Sequence, residues 1–272
     1  MGETQMPQIS SQAEGEGLLL QLMPPGDPVT PEQLVEQLGL WDRPSSTPPR
    51  PRVLLNMITT ADGRATLAGR SGTISGSADR ALFHALRTAA DGVLVGAGTV
   101  RMERYGRIIH QQERREQRER RGLPGEPPAC IVSGRLLLGE DIPLLQTPEA
   151  HVVVLTSSAA SLPATGARID YIRSSGPQLD LPRALAELTE RYGIANLLCE
   201  GGPHLARELL AAGLLDELFL SISPILAGGG PSAGEALRIL AGMELEPPAR
   251  LELLGALSAE STLFLRYRIW AL

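Results

Sequence analysis

A strand that runs straight into a helix through two glycines leaves few folds open, and this chain carries such a turn near its centre. Val93-Leu94-Val95 is a short apolar run, Gly96 and Gly98 follow, and Thr99 offers a hydroxyl where a helix would begin. Glycines let backbone come close to a neighbour, and the free N–H groups of a new helix favour a phosphate. Arg101 stands where a dinucleotide fingerprint would place its third glycine. Alone, the turn reads as a phosphate cradle or as a plain tight bend.

The segments around it set the fold class. Arg52 to Met57 is a strand, Asp62 and Gly63 make a tight turn, and Ser77 is the expected cap of a helix through Arg87. The Val93 strand follows at once, a βαβ order that calls for a parallel sheet with right-handed crossovers. Further apolar runs at Ala129 to Val132, Val152 to Leu155 and Arg168 to Ile172 add strands, and Pro182 to Tyr192 reads as a helix. Leu197-Leu198-Cys199 then leads into Glu200-Gly201-Gly202-Pro203, a second glycine turn, with a helix to Ala212 stopped by Gly213. After the strand Glu217 to Ile222 comes a long glycine-rich turn, Ser223 to Gly230. The alternation over Leu251 to Leu257 and Thr262 to Ile269 predicts an antiparallel pair closing the sheet at its edge, with Gly255 to Ser261 between the two strands.

Ahead of this α/β unit, residues 1–50 read as an extension and 51–272 as the main domain. Residues 1–16 are polar and have the composition of a disordered tail. Leu18 to Leu22 is a short strand or a lid, Thr30 and Pro31 start a helix that Gly39 ends, and Pro44 to Pro51 is a semi-rigid linker.

Composition narrows the partners. The formal charge of −6 argues against nucleic acid, which asks for a basic face. The run Gln111 to Arg121 mixes three acidic with five basic residues, so it reads as a solvated, charge-laced helix or a mobile loop. Cys130 and Cys199 fall in separate apolar strands, outside any C-x-x-C pair, and read as buried free thiols of a reducing compartment. No apolar run has the length of a membrane span, so the expectation is a cytoplasmic protein without a membrane partner and without a metal.

In a parallel sheet the turns Gly96-Ala97-Gly98-Thr99 and Glu200-Gly201-Gly202-Pro203 open at the same end, where ligands of open α/β sheets bind. Two such turns together favour a dinucleotide pyrophosphate. Glu200 is an acceptor for a sugar or heterocycle at that crevice, or a carboxylate that merely suits a helix start. Arg80 and Arg87, seven apart, share a helix face, and Arg87 can reach a substrate phosphate. No nucleophile, zinc-ligand or paired-carboxylate signature is present, so no catalytic residue is assigned; this suits hydride transfer, where the cofactor carries the chemistry.

Six motifs in order make the pattern specific: Arg52 to Met57 with Asp62-Gly63, Ile74-Ser75-Gly76 with Asp79-Arg80, Leu86-Arg87, Val95 to Arg101, Glu200 to Pro203, and Ser223 to Gly230. Together they resemble the reductase domain of bacterial riboflavin biosynthesis, the C-terminal half of the bifunctional deaminase–reductase, over about residues 50–270. The resemblance implies a three-layer α/β/α fold like that of dihydrofolate reductase, NADPH as hydride donor, and a homodimer. It implies 5-amino-6-(5-phosphoribosylamino)uracil, a phosphorylated pyrimidine, as substrate, its ribose reduced to a ribityl chain. By matching position it assigns Thr73, Gly96, Ala97, Gly98, Thr99, Gly201 and Gly202 to the cofactor, with Ser133 and Arg135 near its 2′-phosphate, and Ser71, Arg87 and Glu200 to the substrate. The zinc motifs of the deaminase half are absent. The family's continuation after Thr99, D-D-P-x-L-T-x-R, is replaced by Glu103 to His110, so the cofactor side is matched more fully than the substrate side. A same-fold reductase of dihydrofolate, another pterin or a carbonyl compound, and a non-catalytic NADP-binding regulator, stay open as alternatives.

Overall fold

The computed structural model describes residues 18–42, 46–229 and 237–270. The polar tail, Pro44 of the linker and Gly230 of the last motif lie outside them. Among the described residues ten strands form one sheet: β1 (Leu20–Met23), β2 (Arg52–Thr60), β3 (Gly92–Gly96), β4 (Ala129–Val132), β5 (His151–Thr156), β6 (Arg168–Arg173), β7 (Asn196–Cys199), β8 (Glu217–Ser223), β9 (Leu251–Ala259) and β10 (Thr262–Ile269). Their spatial order is β1-β9-β10-β8-β2-β7-β3-β4-β5-β6. From β8 to β6 every pairing is parallel; β10 and β9 turn the sheet antiparallel, as expected, but β1 then adds outside β9 and is the true edge.

Among the described residues the α-helices are α1 (Pro31–Gln37), α2 (Ser77–Ala89), α3 (Ala97–Met102), α4 (Gln112–Arg120), α5 (Leu181–Tyr192) and α6 (Pro203–Ala211). Successive strand residues face opposite sides, which makes the three layers visible in the core. Val53, Leu55, Leu94, Leu197 and Cys199 pack under α5 and α6. Their neighbours Leu54 and Leu198 pack under α1 and α2, and Val93 and Val95 meet Val100, Ile108 and Leu144 on that second side. Both faces of the central strands are covered, so those strands read as unbroken apolar runs. Cys130 and Cys199 are free, buried thiols whose pKa burial pushes up to about 12. Among the described residues no helix is long and apolar enough to cross a membrane.

Residues 18–42 are built into this core. β1 hydrogen-bonds along β9, and Leu19, Leu34, Val35, Leu38 and Leu40 are buried beside α2. Thr30 caps α1 reciprocally with Gln33, the side chain of each bonding the other's backbone N–H at 3.1 and 2.8 Å.

Three local expectations are corrected. Gly76, not Ser77, is the cap of α2 and offers no side chain; Ser77 instead donates its hydroxyl to Glu260, whose other oxygen accepts from Ala78 N–H at 3.2 Å. Glu260 and Ser261, with φ of 50° and 59°, are the whole β9–β10 turn, so Gly255 lies inside β9, next to Leu254, the extra residue that shifts the register against β10. The run Gln111 to Arg121 forms α4 between its two end residues, with a mainly exposed surface, but Arg118 within it is fully buried.

Candidate active site

The two glycine turns meet. Gly96 N–H donates to Gly201 O at 2.8 Å, and Glu200 N–H donates to Leu94 O at 2.9 Å, so the ends of β3 and β7 are stitched together. Gly201 has a φ of +84°, and its peptide to Gly202 is cis. A Cβ on Gly202 would lie 2.7 Å from Thr99 Oγ1. Close approach of the two turns therefore excludes a side chain there.

Together they form the floor of a cleft of about 1520 Å³, larger than the roughly 300–1,000 Å³ of a typical small-ligand pocket. Gly96, Ala97, Gly98, Thr99, Gly202, Ser133, Arg135, Ser71, Arg87 and Glu200 all line it. A Cβ on Gly98 or Gly134 would meet no protein atom within 4 Å, leaving room at the backbone for a ligand. Two predicted residues do not line it. Thr73 turns its hydroxyl back onto Arg70 O at 2.9 Å, closing its own loop. Gly201 is covered by Met57, whose sulfur would be 3.3 Å from a Cβ there.

Arg87 and Glu200 line the cleft joined to each other. Arg87 Nε and Nη2 donate to Glu200 Oε1 and Oε2, both at 2.7 Å, with side chains only 9% and 3% exposed. The Arg87 guanidinium also lies 4.1 Å from the Phe83 ring centre. Burial alone would lower the guanidinium pKa; the Glu200 charge beside it reverses this, and the pKa ends raised. Tyr105 completes the cluster by donating its hydroxyl to Glu200 Oε2 at 2.5 Å.

The segment that departs from the family pattern supplies other parts. Glu103 Oε1 accepts from Ser71 N–H and Oγ at 2.8 and 2.9 Å, holding the loop before α2 against the cleft. His84 and His110 also line it, and sequence reasoning missed both. Burial, then the Arg87 charge, lowers the pKa of each imidazole. His84 lies four residues after Arg80 and three before Arg87 on α2, and that spacing was the available signal.

Two motifs serve the scaffold. Asp62 Oδ2 accepts from Ala227 and Gly228 N–H at 3.1 and 2.6 Å, and Arg64 donates to Gly228 O at 2.8 Å. The tight turn after β2 thereby holds the glycine-rich loop after β8.

A family model described as the RibD C-terminal domain matches residues 51–260. The chain belongs to that family. The resemblance carried by the six motifs is thus borne out. A protein of Methanothermobacter thermautotrophicus named 2,5-diamino-6-ribosylamino-4(3H)-pyrimidinone 5′-phosphate reductase is 27% identical over 81% of this chain and 99% of its own length. The riboflavin biosynthesis protein RibD of Mycobacterium tuberculosis is 32% identical over 67% of this chain, which spans only 45% of that longer protein. A solved structure of a pyrimidine reductase-like protein from Corynebacterium diphtheriae superposes with a TM-score of 0.70 at 26% identity, covering 89% of this chain and 99% of the other. The mixed, mostly parallel α/β fold is shared across the family.

Proposed function

We propose that the chain is an NADPH-dependent reductase that acts on a ribosylaminopyrimidine phosphate, adding hydride at ribose C1′ as the sugar ring opens and a proton reaches O4′. One observation carries this beyond the relatives' names. The whole chain is acidic, yet seven arginines line the cleft (80, 87, 101, 104, 107, 135 and 207) against four acids (Asp79, Glu103, Glu200 and Glu208). A cleft of that sign and size suits a dinucleotide and a second phosphorylated ligand together.

When bound, the reduced nicotinamide supplies the hydride. The N–H groups of Ala97, Gly98 and Thr99 and that of Gly202 would hold the pyrophosphate, Gly96 N–H being taken by Gly201 O. Ser133, Gly134 and Arg135 take the 2′-phosphate from the end of β4. Arg87, Glu200 and Ser71 face the substrate. Burial, followed by the Glu200 charge, keeps the Tyr105 phenol well above its ordinary pKa, and the imidazoles of His84 and His110 are held toward their neutral forms. The accompanying proton is assigned to water or a substrate hydroxyl.

The test is loss of reduced-nicotinamide absorbance with the 2,5-diamino pyrimidine phosphate, its deaminated counterpart and dihydrofolate in parallel. Turnover of either pyrimidine supports the assignment, and turnover of dihydrofolate alone replaces it with a folate-type reductase. NADPH binding without any turnover points to the regulatory alternative.

Arg135 gives a sharper check on the cofactor. Arg135→Ala is expected to raise KM for NADPH by about tenfold or more, as a lost charged hydrogen bond would, and to leave KM for NADH unchanged. Equal shifts for both cofactors would remove Arg135 from the 2′-phosphate.

A further inference from the structure

Glu200 has fewer open positions than a cleft carboxylate ordinarily offers. An ionised carboxylate has about four acceptor positions, two on each oxygen. Arg87 Nε takes one on Oε1, and Arg87 Nη2 and the Tyr105 hydroxyl take both on Oε2. One position is left, on Oε1. The side chain is 3% exposed and lines the cleft.

Tyr105 is held firmly enough to impose this. It follows Arg104, which has a positive φ of 50°. Its N–H donates to Val100 O at 3.0 Å, and its own carbonyl accepts from Leu144 N–H at 2.8 Å. Its ring centre is 5.4 Å from the Arg87 guanidinium carbon. Backbone and ring are both fixed, so the hydroxyl has one place to point.

We infer that Tyr105 is a specificity-determining residue, which fills Glu200 Oε2 so that Oε1 alone receives a single ribose hydroxyl of the ligand. The inference rests on the reductase reading above. A carboxylate with both oxygens open would accept a vicinal diol through two hydrogen bonds; this one grips one ribose hydroxyl and is indifferent to its neighbour. Tyr105 acts through Glu200 and is a positioning residue.

The experiment compares the wild type with Tyr105→Phe on the ribosylaminopyrimidine phosphate and on its 2′-deoxy and 3′-deoxy analogues, with melting temperature as the folding control. In the wild type one deoxy analogue should lose about tenfold or more in kcat/KM, the loss of one hydrogen bond to a charged acceptor, and the other less than about threefold. Phenylalanine keeps the ring over Arg87 and opens Oε2, so in Tyr105→Phe the two penalties should converge to within about twofold. If Tyr105→Phe slows all three substrates by one common factor, the hydroxyl is only structural and the inference is overturned while the reductase reading stands. If the wild type turns over none of them, both fall together.

Discussion

Arg87→Ala is expected to destabilise the fold by about 3–5 kcal/mol, before any effect on a ligand is counted, because it leaves the Glu200 carboxylate buried with Tyr105 as its one remaining side-chain donor. The sequence alone suggests a different outcome, in which a phosphate-binding arginine is lost, substrate KM rises or turnover is abolished, and NADPH affinity stays nearly intact. Geometry changes the order of effects. Two hydrogen bonds of 2.7 Å between side chains 9% and 3% exposed form a desolvated pair. Replacing both members by apolar residues of similar size, Arg87→Met with Glu200→Leu, should recover most of the stability, since no buried charge is then stranded. It should also abolish turnover. Urea unfolding of the wild type, both singles and the double variant reads the cycle directly. A loss below about 1 kcal/mol for Arg87→Ala, with a large rise in substrate KM, would make Arg87 a ligand-binding arginine that only happens to touch Glu200.

The same pair shows where reading the chain runs out. Most strands, the two glycine turns and their shared end of the sheet were legible because they rest on local chemistry: apolar runs, glycines and helix starts a few residues apart. That Arg87 and Glu200 would occupy each other was not, because 113 residues separate them and nothing near either one names the partner. The place of Leu20 to Met23 was hidden for the same reason, since its hydrogen-bonding partner β9 lies more than 200 residues onward. Thr73 differs in the opposite direction. The resemblance gives it a cofactor position, but its hydroxyl is bonded to a carbonyl three residues away. Tyr105 was visible only as a departure from the family pattern, and its meaning appears once Glu200 stands beside it.

Arg118 makes the sharpest contrast between pattern and packing. In sequence it is one of five arginines in a polar run, indistinguishable from Arg120 two residues later. In the fold it is fully buried under the C-terminal end of α2, donating to Thr88 O at 2.8 Å, Ala90 O at 2.6 Å and Pro124 O at 2.8 Å. The last carbonyls of a helix have no partner within it and carry the negative end of its dipole, so a guanidinium there satisfies the acceptors and complements the charge. Arg118→Met keeps an unbranched apolar stem and removes every donor, leaving several buried carbonyls unsatisfied at about 1–3 kcal/mol each. The expected loss is about 4 kcal/mol, while Arg120→Ala on the exposed side of α4 should leave stability unchanged. Because α2 also carries His84 and Arg87, the frayed helix end in Arg118→Met should raise amide exchange at Arg87 to Ala90 well before the sheet opens. Equal unfolding midpoints for Arg118→Met and Arg120→Ala would mean that water replaces the guanidinium at the helix end without loss, and that the buried arginine is a passenger of the packing around it.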